Sequence, residues 1–151
     1  MKRRYINNLL SIVTIALIGV MLSVQAMASS ETLDFETQGL DLDTGTVVEV
    51  TSGKVVEANQ ADFFIAYNAD VVPHAVLIPA TEHAEMAFLS DVAFPDVTVD
   101  SISGLTFTAA IVDEPLGEND TVILRTDTGT VFKLGNAVEG ETSVTVSYEQ
   151  L

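Results

Sequence analysis

The stretch VILRTDTGTVFKL, residues 122–134, has the pattern of a β-hairpin. Apolar and β-branched residues fill both arms, and Asp127-Thr128-Gly129 lies between them. Asp can cap a tight turn and Gly129 can adopt a positive φ, so this turn sets the pairing of the two arms. Residues 143–148 then alternate between polar and apolar, which predicts a further strand with one buried face. The residues on that face are Val144, Val146 and Tyr148.

The rest of residues 29–151 repeats this pattern of short apolar runs separated by Gly, Asp, Asn and Pro. Residues 40–50 predict another hairpin. Residues 61–68 are apolar on both faces, which predicts a central strand. Residues 71–78 contain Pro73, and because proline cannot donate to a ladder, we expect this strand to lie at a sheet edge or to begin after Pro73.

Residues 81–103 allow more than one interpretation. Residues 84–89 fit a strand or one or two helical turns, and residues 100–103 fit a capped helical turn. Residues 105–110 predict a strand. Together the patterns predict an all-β fold, a single antiparallel β-barrel or β-sandwich of about 8–10 short strands, with at most one or two helical turns around residues 84–103.

The first 28 residues have the three parts of a secretory signal peptide. Basic residues 2–4 precede an apolar run, 9–24, and Ala26-Met27-Ala28 is the small-x-small pattern of a cleavage site. A retained membrane anchor is the alternative, although the run is shorter than the ~20 residues that a spanning helix needs. The chain has no Cys to carry a bacterial lipid anchor. We therefore expect a cleaved signal helix, 1–28, and one soluble domain, 29–151, exported to the periplasm or outside the cell.

The chain is strongly acidic after this segment. Its net charge is −16, and three of its six basic residues lie in the signal peptide, so residues 29–151 carry a net charge of −19. Binding to phosphates needs clustered Lys and Arg, which excludes nucleic acid as a partner and disfavours anionic membranes. The acidic surface either keeps the protein soluble or attracts a cation or a basic protein partner.

The pentapeptide Asp-Thr-Gly-Thr-Val occurs twice, at residues 43–47 and 127–131. Aspartic proteases use two carboxylates that share a proton, but this chain is too short for the two-lobed form, and Asp-x-Gly is a common hairpin turn. We therefore interpret both copies as turns. Asp41, Asp43 and Gly45 also match half of a calcium-loop pattern, so Asp41 and Asp43 are candidate metal ligands, with solvated turn carboxylates as the alternative.

The only two histidines, His74 and His83, lie on either side of a predicted turn. If the flanking strands pair, the two imidazoles can approach one metal ion or one haem iron. The alternative is that each is an ordinary surface histidine, since no third ligand follows at zinc spacing.

The C-terminal third resembles a known family of exported proteins. Residues 122–134 combine an apolar run with Arg125-Thr126, Gly129 and an aromatic-Lys-Leu ending, and residues 143–149 add an alternating strand. This pattern resembles the closing strands of the HmuY-like exported β-proteins. The resemblance implies an all-β fold and, in the best-known members, haem capture by two axial histidines. Those histidines lie much farther apart in sequence than His74 and His83, so the resemblance assigns neither residue a role.

The sequence has no nucleophile elbow, no phosphate-binding glycine loop and no thiol. We therefore expect a non-enzymatic binding or interaction module that takes a small ligand, a cation or a basic protein. The alternative hypothesis is a carrier of haem or a metal ion that uses His74 and His83.

Overall fold

The computed structural model describes residues 28–50, 61–80, 84–109, 116–117 and 119–151. The strands in these ranges are β1 (Ser29–Asp34), β2 (Gln38–Asp41), β3 (Thr46–Glu49), β4 (Phe63–Tyr67), β5 (Ala75–Pro79), β6 (Ala84–Leu89), β7 (Thr121–Thr126), β8 (Val131–Glu139) and β9 (Ser143–Gln150). Two short 3₁₀ helices lie between β6 and β7, at Phe94–Asp96 and Val99–Ile102. No helix in the described ranges is both long and apolar enough to span a bilayer.

The strands pair into two antiparallel sheets, which confirms the expected all-β fold. One sheet has the order β1-β9-β8-β7-β6 and the other has the order β3-β2-β4-β5. The predicted hairpin forms β7 and β8, and Gly129 has the positive φ that its turn requires, 86°. The expected central strand is β4, which lies between β2 and β5, and the strand that begins after Pro73 is β5, at the sheet edge.

Side chains from both sheets form one buried cluster. Val144 and Val146 of β9 belong to it together with Phe63 and Ile65 of β4, and all four are fully buried. Because β strands place alternate side chains on opposite faces, each sheet contributes one apolar face to this cluster. Burying each such side chain contributes roughly 1.5–3 kcal/mol, which matters in a chain that has no disulfide.

Residues 90–108 cover the outer face of the five-stranded sheet. Val97 packs there against Ala87 and Ile123 in a second buried cluster. The strand expected at 105–110 does not form over the described residues 105–109, which carry only one bridge, between Thr108 and Met86. That prediction is wrong because the apolar side chains of this segment pack onto the sheet instead of extending it.

The ambiguous parts of this region are resolved by the structure. Residues 84–89 form the strand β6, and the expected capped turn is the second 3₁₀ helix. Its cap is Thr98, whose hydroxyl lies 3.1 Å from that of Ser101 in a capping box.

A buried cation holds this covering segment in place. Lys133 lies on β8 and is only 5% exposed. Its Nζ donates to the carbonyl of Val97 at 3.1 Å, lies 3.2 Å from Oε2 of Glu149, and sits 4.8 Å from the ring centroid of Phe94. A buried charge is tolerated only when it is paired and hydrogen-bonded, so Lys133 ties residues 94–97 to the sheet.

A second cation acts nearer the surface. The guanidinium of Arg125 lies 4.4 Å from the ring centroid of Phe107 and pairs with Glu85 on the neighbouring strand. Both basic residues of the described ranges are therefore engaged on the outer face of this sheet.

Replacing Lys133 with Met should lower the free energy of unfolding by about 2–3 kcal/mol, because the Val97 carbonyl and the Glu149 carboxylate both lose a charged partner. Urea denaturation followed by circular dichroism measures this change. The matched control is Arg125→Met, which should cost at most about 1 kcal/mol because that side chain is 43% exposed. Equal losses in the two variants would contradict the role given to the buried cation.

Candidate functional site

Three rings contact each other where β4 ends and β5 begins. The rings of Tyr67 and His74 are nearly parallel, with an interplanar angle of 16° and centroids 4.9 Å apart. Phe35, in the turn after β1, meets Tyr67 edge-on with centroids 5.5 Å apart. A backbone hydrogen bond from Asn68 to the carbonyl of His74, 2.8 Å, closes the loop that brings His74 beside Tyr67. Both ring geometries are favourable for aromatic pairs.

Glu139 fixes the position of His74 from the other sheet. Its Oε1 accepts a hydrogen bond from the His74 backbone N–H at 3.0 Å and lies 3.3 Å from Nδ1 of the imidazole. The side chains of His74 and Glu139 are 33% and 24% exposed. The β4–β5 loop is therefore tied to the end of β8, and the imidazole is held in one orientation.

The loop that carries His74 also exposes apolar surface. Val72 lies on the same loop and is 81% exposed, the highest value among the large apolar side chains of the described residues. Tyr67 is 44% exposed although it is the last residue of a strand whose other members are buried or half-buried. We call Phe35, Tyr67, Val72 and His74 the aromatic patch.

The two Asp-Thr-Gly turns meet each other at the opposite end of the strands. The Asp43 carboxylate accepts hydrogen bonds from the hydroxyls of Thr126, at 3.2 Å, and Thr128, at 3.0 Å. Gly45 has a positive φ of 68°, as expected for a hairpin turn. Both copies thus form the turns that the sequence predicts, and Asp43 links the two sheets.

Asp41 and Asp43, the candidate metal ligands, are occupied by turn hydrogen bonds. Oδ1 of Asp41 accepts from the backbone N–H of Thr44 at 3.0 Å. Within the ranges that the structure describes, no group of three or more His, Asp or Glu residues is placed to hold a metal ion. A calcium ion at Asp41 and Asp43 remains a prediction from the sequence.

Asp62 is a buried carboxyl next to these turns. It is 5% exposed, and its Oδ2 accepts a hydrogen bond from the backbone N–H of Leu42 at 2.8 Å. Burial, helped by the negative charges of Asp43, Asp41 and Asp127 and opposed by the Leu42 hydrogen bond, raises the pKa of Asp62 from 3.8 to about 6. Asp62 belongs to no motif, so the sequence patterns did not identify it.

A groove of about 400 Å³ lies between the second 3₁₀ helix and the β7–β8 turn. Its apolar walls include Val99, Ile102, Val131 and Leu151, and none of its lining side chains is ionisable. This groove is the alternative candidate for a ligand-binding site.

The structure tests only part of the histidine hypothesis. His74 is placed as described above, whereas His83 lies outside the described residues, so their separation stays open. In the acidic sequence 113–120, residues 113–115 and 118 also lie outside them. Sequence reasoning missed Glu139 because its contact joins residues 65 positions apart in the chain.

No protein-family model, curated protein or solved structure matches the chain.

Replacing Asp62 with Asn should stabilise the protein at pH 7.5 by up to about 3 kcal/mol. The folded state holds the Asp62 proton more tightly than the unfolded chain. As the pH rises from about 4 to 6, the unfolded chain therefore loses this proton first and the contribution of Asp62 to stability falls. Asn keeps an acceptor for Leu42 but carries no charge.

Urea denaturation at pH 4 and pH 7.5 should show this gain only at the higher pH. The control Asp96→Asn removes an exposed carboxylate from the first 3₁₀ helix and should change stability little at either pH. An Asp62→Asn protein no more stable than the wild type at pH 7.5 would contradict the raised pKa.

Proposed function

We propose that residues 29–151 form an exported, non-enzymatic binding module that presents the aromatic patch to a partner. The observation that carries the proposal is the group of three contacting rings, Phe35, Tyr67 and His74, at the end of the loop on which Val72 is 81% exposed. Tyrosine is enriched at binding surfaces because it offers a large contact area with few rotatable bonds. Glu139 already holds His74 in place, so binding needs little further ordering of this residue.

The boundaries of the strands support the export part of this proposal. β1 begins at Ser29, directly after the predicted cleavage site, so removal of residues 1–28 would leave every described strand intact. The mature product would be soluble in the periplasm or outside the cell. The single cluster formed by side chains of both sheets favours a β-sandwich over a barrel as the description of this domain.

A fragment screen by NMR tests the location of the site. Small aromatic probes such as phenol and indole, added at millimolar concentration to ¹⁵N-labelled residues 29–151, should shift the amides of the aromatic patch. Tyr67→Ala should remove these shifts because it removes the central ring. The control Val99→Ser, in the competing groove, should leave them unchanged. Shifts confined to that groove would contradict the proposal.

A haem or metal-ion carrier is the second candidate function, and one contact favours it. The Glu139 carboxylate faces Nδ1 of His74, 3.3 Å away. In metal sites a carboxylate on one imidazole nitrogen orients the ring so that the other nitrogen can bind the metal. His74 would serve as one axial ligand, with His83 as the predicted second ligand.

Adding hemin to residues 29–151 and recording the visible spectrum separates the two functions. Haem carriage requires a shifted Soret band that His74→Ala abolishes and that Glu139→Gln weakens. A spectrum equal to that of free hemin, or a shift that survives His74→Ala, would rule out His74 as an axial ligand.

A further inference from the structure

We propose that the partner of the aromatic patch is a basic protein segment in which Arg or Lys residues flank an aromatic or aliphatic anchor. The inference rests on the proposed function and adds the chemistry of the partner. It is based on the carboxylates that surround the patch and on the positions of the described cations, which lie elsewhere.

The described cations are unavailable to neutralise this surface. Lys133 is buried under residues 94–97, and Arg125 is paired with Glu85 and stacked on Phe107. Both lie on the outer face of the five-stranded sheet, on the side that residues 90–108 cover. The charges that the described chain exposes around the patch are therefore carboxylates.

Four of these carboxylates lie in the connections that carry the patch or in chain segments that bond to them. Glu36 directly follows Phe35, and its backbone N–H donates to the carbonyl of Ile65 at 3.0 Å. Asp70 lies on the β4–β5 loop with Val72, and Glu139 contacts His74. Glu141 is next to Thr142, whose carbonyl accepts a hydrogen bond from Phe35 at 3.0 Å. We call Glu36, Asp70, Glu139 and Glu141 the acidic rim.

An apolar centre inside an acidic rim selects the partner by two criteria. Tyr67 and Val72 favour an aromatic or aliphatic side chain, because burying that surface gives affinity. The rim repels anionic ligands and favours cations, and Arg meets both criteria since its planar guanidinium pairs with carboxylates and stacks on aromatic rings. Because the rim carboxylates are near the surface, they should raise the association rate and make binding dependent on salt.

Fluorescence anisotropy with a labelled peptide, Arg-Arg-Phe-Arg-Arg, tests the inference on residues 29–151. We expect saturable binding at 50 mM salt that weakens by about tenfold at 300 mM. Val72→Ser should weaken binding by about fivefold or more, as should the double variant Glu36→Gln with Glu141→Gln. The matched controls are Val99→Ser, at a valine that is 62% exposed outside the patch, and Asp96→Asn, which should both bind as the wild type does.

Two control peptides separate specific recognition from bulk charge attraction. The peptide with Ser in place of Phe should bind at least fivefold more weakly, and the peptide with Glu in place of Arg should not bind. Equal binding of the Phe and Ser peptides, or equal affinity of the Val72→Ser and Val99→Ser proteins, would overturn the inference. If aromatic fragments shift the patch but the basic peptide does not bind, this inference fails while the proposed function stands. If neither binds, both fail.

Discussion

The buried ammonium of Lys133 is the interaction on which the outer half of this domain depends. Without it, the carbonyl of Val97 and the ring of Phe94 would have no charged partner, and the segment they belong to contains no regular strand. Residues 90–108 are instead held by separate contacts, which include the ammonium, the guanidinium on Phe107, the bridge between Thr108 and Met86 and an apolar cluster. A chain with a net charge of −16 thus uses a scarce cation where a covering segment needs an anchor.

The engagement of Lys133 and Arg125 on the outer face of the five-stranded sheet affects the charge of the surface around the aromatic patch. Each cation that is engaged on the outer face of the five-stranded sheet is lost to the acidic surface elsewhere. The aromatic patch lies where the β1–β2, β4–β5 and β8–β9 connections meet, and the carboxylates of the acidic rim lie in or directly beside these connections. The shortage of Lys and Arg therefore has two effects: a buried Lys133 anchors residues 94–97, and the surface around the aromatic patch carries negative charge.

The sequence predicted the elements whose pattern is local. The hairpin around Gly129 and the alternating strand that ends in β9 are specified by residues within a few positions of each other. The exposure of Tyr67 was not predicted, because period-two alternation places it on the buried face of Phe63 and Ile65. Tyr67 is instead exposed because it is the last residue of β4, where the ring of Phe35 from another turn contacts it. Contacts such as His74 with Glu139 depend on which turns meet in space, and alternation carries no information about that.

The repeated pentapeptide was interpreted correctly as two turns, but its effect on the pKa of Asp62 was not predicted. Each Asp-Thr-Gly forms its own hairpin turn, but the two turns also pack against each other, which brings the charges of Asp43 and Asp127 close to the buried Asp62. Threonine hydroxyls donate hydrogen bonds to Asp43, whereas Asp62 is buried and its pKa is raised to about 6, so its ionisation costs stability as the pH rises. Among the residues that the structure describes, Lys133 and Arg125 hold the segment that covers the five-stranded sheet, and the buried Asp62 makes stability fall as the pH rises from about 4 to 6.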